Sequence, residues 1–225
     1  MSQLETAIQF LKNDLLQMWS LVISQMEKSR IAILEANKSL AHEVRLNEKK
    51  VDAFDLKIDM DCENILMLKN PVAIDMRFVI SVLKINYNLE RIGDYTNTFA
   101  KIAEGISFPW EEEVFRKTHI PEMFYLVQSM MQEAMEAFAN QDKSLVNGLF
   151  QSDKKLDSYN TEAVEIIGNL IREKPEQCND YLNAYTVIGK LERSGDHVLN
   201  IGEELIFLYD AIVIKHIKLA KGRKP

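Results

Sequence analysis

Residues that break helices are scarce in this chain. Among 225 residues there are 8 glycines and 5 prolines. So few breakers leave room for few turns, and few turns mean long helices. Thiols are scarcer still. Cys62 and Cys178 stand alone, which argues against a disulfide scaffold or a cysteine-based zinc site. No apolar run approaches the roughly 18–20 residues needed to span a bilayer. The opening Met-Ser-Gln-Leu-Glu-Thr lacks the basic segment and apolar run of a signal peptide. A cytoplasmic location is expected, with the membrane reached only indirectly through partners. Positive charge is short everywhere but at the end. The formal charge is −7, and Lys215, Lys218, Lys221, Arg223 and Lys224 all fall in the last eleven residues. Removing those five leaves residues 1–214 at about −12. A body that acidic repels a phosphate backbone, so nucleic acid is not an expected partner. The basic tail reads as a frayed, solvated terminus.

What is present is helical periodicity in a chain that is 47% apolar and 27% charged, the balance of a soluble protein with a real core. Leu4, Ile8, Leu11, Leu15, Met18 and Val22 step by threes and fours, as one stripe of an amphipathic helix must. A second stripe runs through Val51, Phe54, Ile58, Ile65 and Leu68. A third takes in Val82, Ile85, Leu89, Ile92, Phe99, Ile102 and Ile106. After a connection over Ser107 to about His119 the plan repeats. Met123 to Phe138 and Leu149 to Leu170 supply two stripes, and a sixth helix runs from about Pro175 towards Lys215. Asn70-Pro71 reads as an N-cap followed by proline at the first helical position, and Pro121 and Pro175 can start helices in the same way. The expected fold is all-α: two tandem three-helix bundles, six long helices in all, over residues 1–110 and 111–225.

The halves also share sequence. Leu-Glu-Arg-Ile-Gly-Asp occupies 89–94 and Leu-Glu-Arg-Ser-Gly-Asp occupies 191–196. Apolar positions keep the same offset, since Ile85 answers to Val187 and Phe99 to Ile201. A period near 100 residues is too long for a solenoid and implies duplication of a bundle.

Carboxylates recur with the repeat. Glu90 and Asp94 are four apart, as are Glu192 and Asp196, which puts each pair on one helix face. The preceding helices carry Glu48-x-x-x-Asp52 and Asp153-x-x-x-Asp157, and in the first half the acidic row continues to Asp55 and Asp59. Like charges at this spacing cost a helix roughly 0.2–0.5 kcal/mol per pair, and more if two pairs face each other in lower dielectric. Arginine, lysine, solvent, protonation or a bound cation must compensate. Four carboxylates from two helices make an oxygen-rich cation site. The bland alternative is a solvated acidic face. Gly93 and Gly195, mid-helix at equivalent places, imply close approach of a neighbouring helix or a ligand. His197 follows Asp196 and reads as a surface histidine rather than a further ligand.

Enzyme signatures are missing. No His follows a Glu by three, as di-iron bundles require, and there is no Gly-rich phosphate loop, Gly-x-Ser-x-Gly or His-Glu-x-x-His. A non-enzymatic protein is expected.

The two Leu-Glu-Arg-x-Gly-Asp segments, with Asn70-Pro71-Val-Ala-Ile-Asp75-Met-Arg77 ahead of the first, resemble the PhoU family across nearly the whole chain. The resemblance implies two three-helix bundles side by side and multinuclear iron or zinc held by acidic motifs. Glu48, Asp52, Glu90 and Asp94 would form one site, and Asp153, Asp157, Glu192 and Asp196 the other. It further implies a cytoplasmic negative regulator of phosphate uptake and the phosphate-starvation response. The family links the phosphate transporter ATPase to the sensor histidine kinase, and homodimers occur in it. Departures are Tyr95 where a histidine or small polar residue is frequent, Thr98 opposite Asn200, and Ser194 in place of isoleucine. The second half also lacks the Pro-Val-Ala-x-Asp segment. The rival readings are a helical interaction module without metal and a carboxylate metalloenzyme.

Overall fold

The computed structural model describes residues 2–106 and 109–210. The basic tail lies outside the described residues. Seven α-helices occur among those described, with no strand. Helices α1 (Gln3–Glu35), α2 (Lys38–Leu68) and α3 (Ala73–Gly105) form the first bundle. A short α4 (Glu112–Thr118) lies in the connection. Helices α5 (Ile120–Asn140), α6 (Leu149–Glu173) and α7 (Cys178–Asp210) form the second. A 3-10 turn, Lys143–Gly148, leads into α6, and another, Pro175–Gln177, leads into α7. The longest helices have 33 residues, about 50 Å at 1.5 Å per residue.

Local chemistry sets the ends. Ser2 and Glu5 form a reciprocal capping box on α1, satisfying two backbone donors at once. Ala36 turns left-handed at φ 50° to end α1, and Asn37 caps α2 by accepting from the Leu40 amide at 3.1 Å. Pro121 sits in the first turn of α5, and Pro175 opens the turn before α7. Asn70 behaves otherwise. It does not cap α3, which starts at Ala73 after Val72. Asn70 is left-handed at φ 44°, a conformation asparagine tolerates better than most residues, so it turns the chain between α2 and α3. Leu68, the last residue of α2, is 69% exposed rather than part of the apolar stripe.

Leu11, Leu15, Met18 and Val22 from α1, Val51 and Ile58 from α2, and Val82, Ile85 and Leu89 from α3 are buried together. Val127, Met130, Leu156, Val187 and Leu191 do the same in the second half. The bundles lie side by side through α3 on α7 and α1 on α5. Trp19 donates its indole N–H to the Met131 carbonyl at 3.1 Å. Lys84 pairs with the buried Glu204 at 2.9 Å. Lys84 meets Glu204, Asn88 meets His197, and Lys190 lies over Tyr95, so α3 and α7 run antiparallel. No described helix is long and apolar enough to cross a membrane.

Candidate metal centres

Each centre is built where two helices come close. A Cβ on Gly93 would lie 3.1 Å from Val51 Cγ1, and one on Gly195 would overlap Leu156. The neighbouring helix is thus what these glycines admit. Val51 precedes Asp52 and Leu156 precedes Asp157, so the same contact that needs glycine carries the acids of α2 towards α3 and of α6 towards α7.

In the first half, all four predicted acids act on one another. Glu48 is half-buried, and its Oε2 is enclosed with no donor in reach among the described residues. Its pKa is pushed up to about 7, first by burial, then by the charges of Asp94 and Asp52, a hydrogen bond with Asp94, and the charge of Glu90. Burial likewise raises Glu90 to about 6, aided by Asp94 and opposed by Arg91. Asp94 is drawn aside by Arg91, whose guanidinium donates to it at 2.9 Å. The row extends as its spacing implies: burial and the charges of Asp59 and Asp52 raise Asp55. The fully buried Asn86 donates from Nδ2 to Asp55 at 2.8 Å and to Asp59 at 3.0 Å. Asn86 was not picked out from the sequence. The available signal was an amide one turn before Glu90, inside an apolar stripe.

The second half is tighter. Ligand oxygens of Asp153, Asp157 and Asp196 lie within 4.8 Å of one another, with Asp153 buried, Asp157 half-buried and Asp196 exposed. Among the described residues no other group of three acidic, histidine or cysteine side chains meets that criterion. Glu192 joins them: burial raises its pKa, followed by Asp196 and Asp157, while Arg193 opposes. The contrast with the first half follows from the arginines. Arg91 holds Asp94, whereas Arg193 is exposed and makes no ion pair among the described residues. At the positions of Asp55 and Asp59 the second half has Asn160 and Val164.

His197 is neither a surface residue nor part of an acid cluster. It sits between the bundles, its Nδ1 at 2.8 Å from Asn88 Oδ1 and its Nε2 at 3.4 Å from the Tyr95 hydroxyl. Asn88 Nδ2 is committed to the Lys84 carbonyl at 2.7 Å. Nδ1 therefore donates to Asn88, and Nε2 accepts from Tyr95. Burial, then the charges of Arg91 and Arg193, lower its pKa to about 4, so the ring is neutral at physiological pH.

A donor set made only of carboxylate oxygens, at least one of them enclosed without a hydrogen-bond partner, fits a cation. With no histidine or cysteine among the donors it favours a hard ion, ferric iron or manganese before zinc.

Two comparisons fix the family. A sequence profile of the PhoU domain matches residues 15–103 and again 120–205. The chain belongs to the PhoU domain family. It is 33% identical over 227 residues to the phosphate-specific transport system accessory protein PhoU homolog of Pseudomonas aeruginosa, covering 99% of this chain and 91% of that one. It is 28% identical to the PhoU homolog 1 of Thermotoga maritima, over 91% of this chain and 88% of the relative. The crystal structure of PhoU from Pseudomonas aeruginosa superposes with a TM-score of 0.84 at 33% identity, covering 93% of this chain and all of that one. That of PhoU from Streptococcus pneumoniae shares the fold, with a TM-score of 0.81 at 24% identity.

Proposed function

We propose that the protein is a cytoplasmic accessory regulator of phosphate transport. In this reading it restrains uptake and the phosphate-starvation response, is not an enzyme, and carries carboxylate-held cations as structural or regulatory elements. The accessory role is supported by full-length relatives named as phosphate-specific transport system accessory proteins. The partners proposed from that role are the transporter ATPase and the sensor histidine kinase, with a homodimer as the working assembly. The cation reading rests on one observation: Asp153, Asp157 and Asp196 bring three carboxylates within 4.8 Å in a partly buried site. Glu48, Asp52, Glu90 and Asp94 are proposed to hold metal in the first half, with Asp55 and Asp59 extending that site. Asp153, Asp157, Glu192 and Asp196 hold it in the second. Iron or zinc are the candidates, with iron preferred by the oxygen-only donors. The bound ion would offset the burial and the mutual repulsion that now raise Glu48 and Glu90.

Elemental analysis of protein purified without a chelator or a polyhistidine tag tests the reading. Bound metal in stoichiometric amount is expected, and replacing Glu90 and Asp94 by Gln and Asn should remove roughly half of it, because the two sites lie on different helix pairs. Metal-free protein whose melting temperature ignores added iron or zinc would instead establish a helical interaction module.

A further inference from the structure

Helix α2 carries two apolar stripes and buries only one. Val44, Val51, Ile58 and Ile65, seven apart, face the core of the first bundle. Leu46, Ala53, Met60 and Met67 are also seven apart, with Leu56 between them. Leu46 follows Val44 by two residues, about 200° round a helix, so this second stripe lies opposite the core. Leu46, Leu56, Met60 and Met67 are 56%, 64%, 63% and 67% exposed. Single exposed leucines are ordinary, but a row of large apolar side chains along roughly 30 Å of one helix marks an interaction surface. Lys49 and Glu63, both exposed, complete the row. With them the steps from 46 to 67 alternate strictly between three and four. That is the a/d seam of a two-stranded coiled coil, held for three heptads. None of the eight predicted metal ligands belongs to it.

The order of residues along the stripe identifies the occupant. Leu56 lies at the middle, with Ala53 and Met60, Lys49 and Glu63, and Leu46 and Met67 at nearly matched distances on either side. Two copies of α2 laid antiparallel about Leu56 would set Lys49 against Glu63 of the second copy, and Leu46 against its Met67. Small Ala53 would face large Met60, and Leu56 would meet itself. A parallel pairing would set lysine on lysine and glutamate on glutamate. A twofold contact must be complementary to itself, and this row is so in the antiparallel sense alone. Lys57 flanks Leu56 and would approach its own counterpart, but its ammonium is already bound by Asp14 and Asp61. The two stripes together would cover on the order of 1,000 Å², where stable interfaces begin.

We propose that the outer face of α2 is a dimer interface, in which two copies of the chain pair antiparallel about a twofold axis at Leu56. The contact leaves α3 and α7 uncovered and places the two first bundles back to back. It rests on the homodimer proposed above and gives that assembly its surface.

Sedimentation velocity on the full chain, stripped of metal with chelator and run over a wide range of loading concentration, tests the contact. The wild type should dimerise, and Leu56→Glu, which sets two carboxylates on the axis, should sediment as a monomer. Lys49→Glu and Glu63→Lys each oppose like charges at both ends of the seam and should weaken the dimer roughly tenfold or more. The double variant Lys49→Glu/Glu63→Lys should return the dissociation constant to within about threefold of the wild type. All three positions are exposed, and recovery in the double variant separates lost pairing from lost folding. A wild type that stays monomeric throughout would overturn both this proposal and the homodimer, leaving the stripe to a helix of another protein. A dimer that ignores Leu56→Glu, or that the double variant fails to restore, would overturn the α2 seam alone and move the homodimer to another face.

Discussion

Glu48 shows how one side chain can set a pH dependence. Its pKa in the folded protein is about 7, against an ordinary 4.5, so folding takes up a proton between those values. The sign is that of a raised carboxyl: its contribution is intact below about pH 4.5 and is lost as pH rises through 7. Glu90, raised to about 6, acts in the same direction. Metal-free protein should therefore melt at a lower temperature at pH 7.5 than at pH 5.5. Glu48→Gln should flatten that difference and raise the melting temperature at pH 7.5, because the amide is neutral throughout. The same variant should bind cations more weakly, separating stability from ligation at one position. Calorimetric melts across the pH range, with and without added metal, check both halves of the expectation.

Pairs of helices are where the acids and the glycines explain each other. The Gly195–Leu156 contact sits in a core that cannot yield, since Leu156 is fully buried. Gly195→Ala should cost roughly 1–3 kcal/mol by overpacking, more than the ~1 kcal/mol that alanine gains as a helix former. Gly168, on α6 with no atom near its missing Cβ, is the control: Gly168→Ala should stabilise by up to ~1 kcal/mol in urea denaturation. This level of organisation was largely legible in the sequence. The period of the apolar residues gave the helices, and the repeated Leu-Glu-Arg-x-Gly-Asp placed acid and glycine together on α3 and α7. Less legible were features decided by context. Asn70 adopts a left-handed turn instead of a cap, because asparagine suits both and only the path into α3 selects one. His197 looked like a surface residue because its polarity says nothing of the aromatic seam that buries it. The looseness of the first acid cluster depends on where Arg91 swings, which spacing along a helix does not determine.

For the whole molecule, the question is what keeps two bundles as one body. Apolar stripes predict burial without saying which helices meet, and the pairing of α3 with α7 and α1 with α5 emerges only in three dimensions. Trp19 is a clear single link between halves: its ring lies tilted against Phe138, with 6.1 Å between ring centres, and its N–H reaches the Met131 carbonyl. Trp19→Phe keeps most of the apolar contact and removes the hydrogen bond. It should cost about 1–2 kcal/mol, read as a lower urea midpoint with an unchanged slope if the bundles unfold together. A second transition would show them unfolding apart.

The contacts Asn88–His197 and Lys190–Tyr95 occupy matching places yet are chemically unlike. That inequality has a consequence for biosynthesis. On a ribosome adding roughly 5–20 residues per second, α3 is complete about 5–20 s before the partner stretch of α7 exists. During that wait, two newborn first halves on neighbouring ribosomes could meet through the same face. Such a mispairing would set Asn88 against Tyr95 twice, without the histidine that Asn88 grips or the ammonium that covers the phenol. Divergence of the duplicated halves would therefore disfavour that mispairing and leave the early half open for the mate encoded downstream on the same messenger.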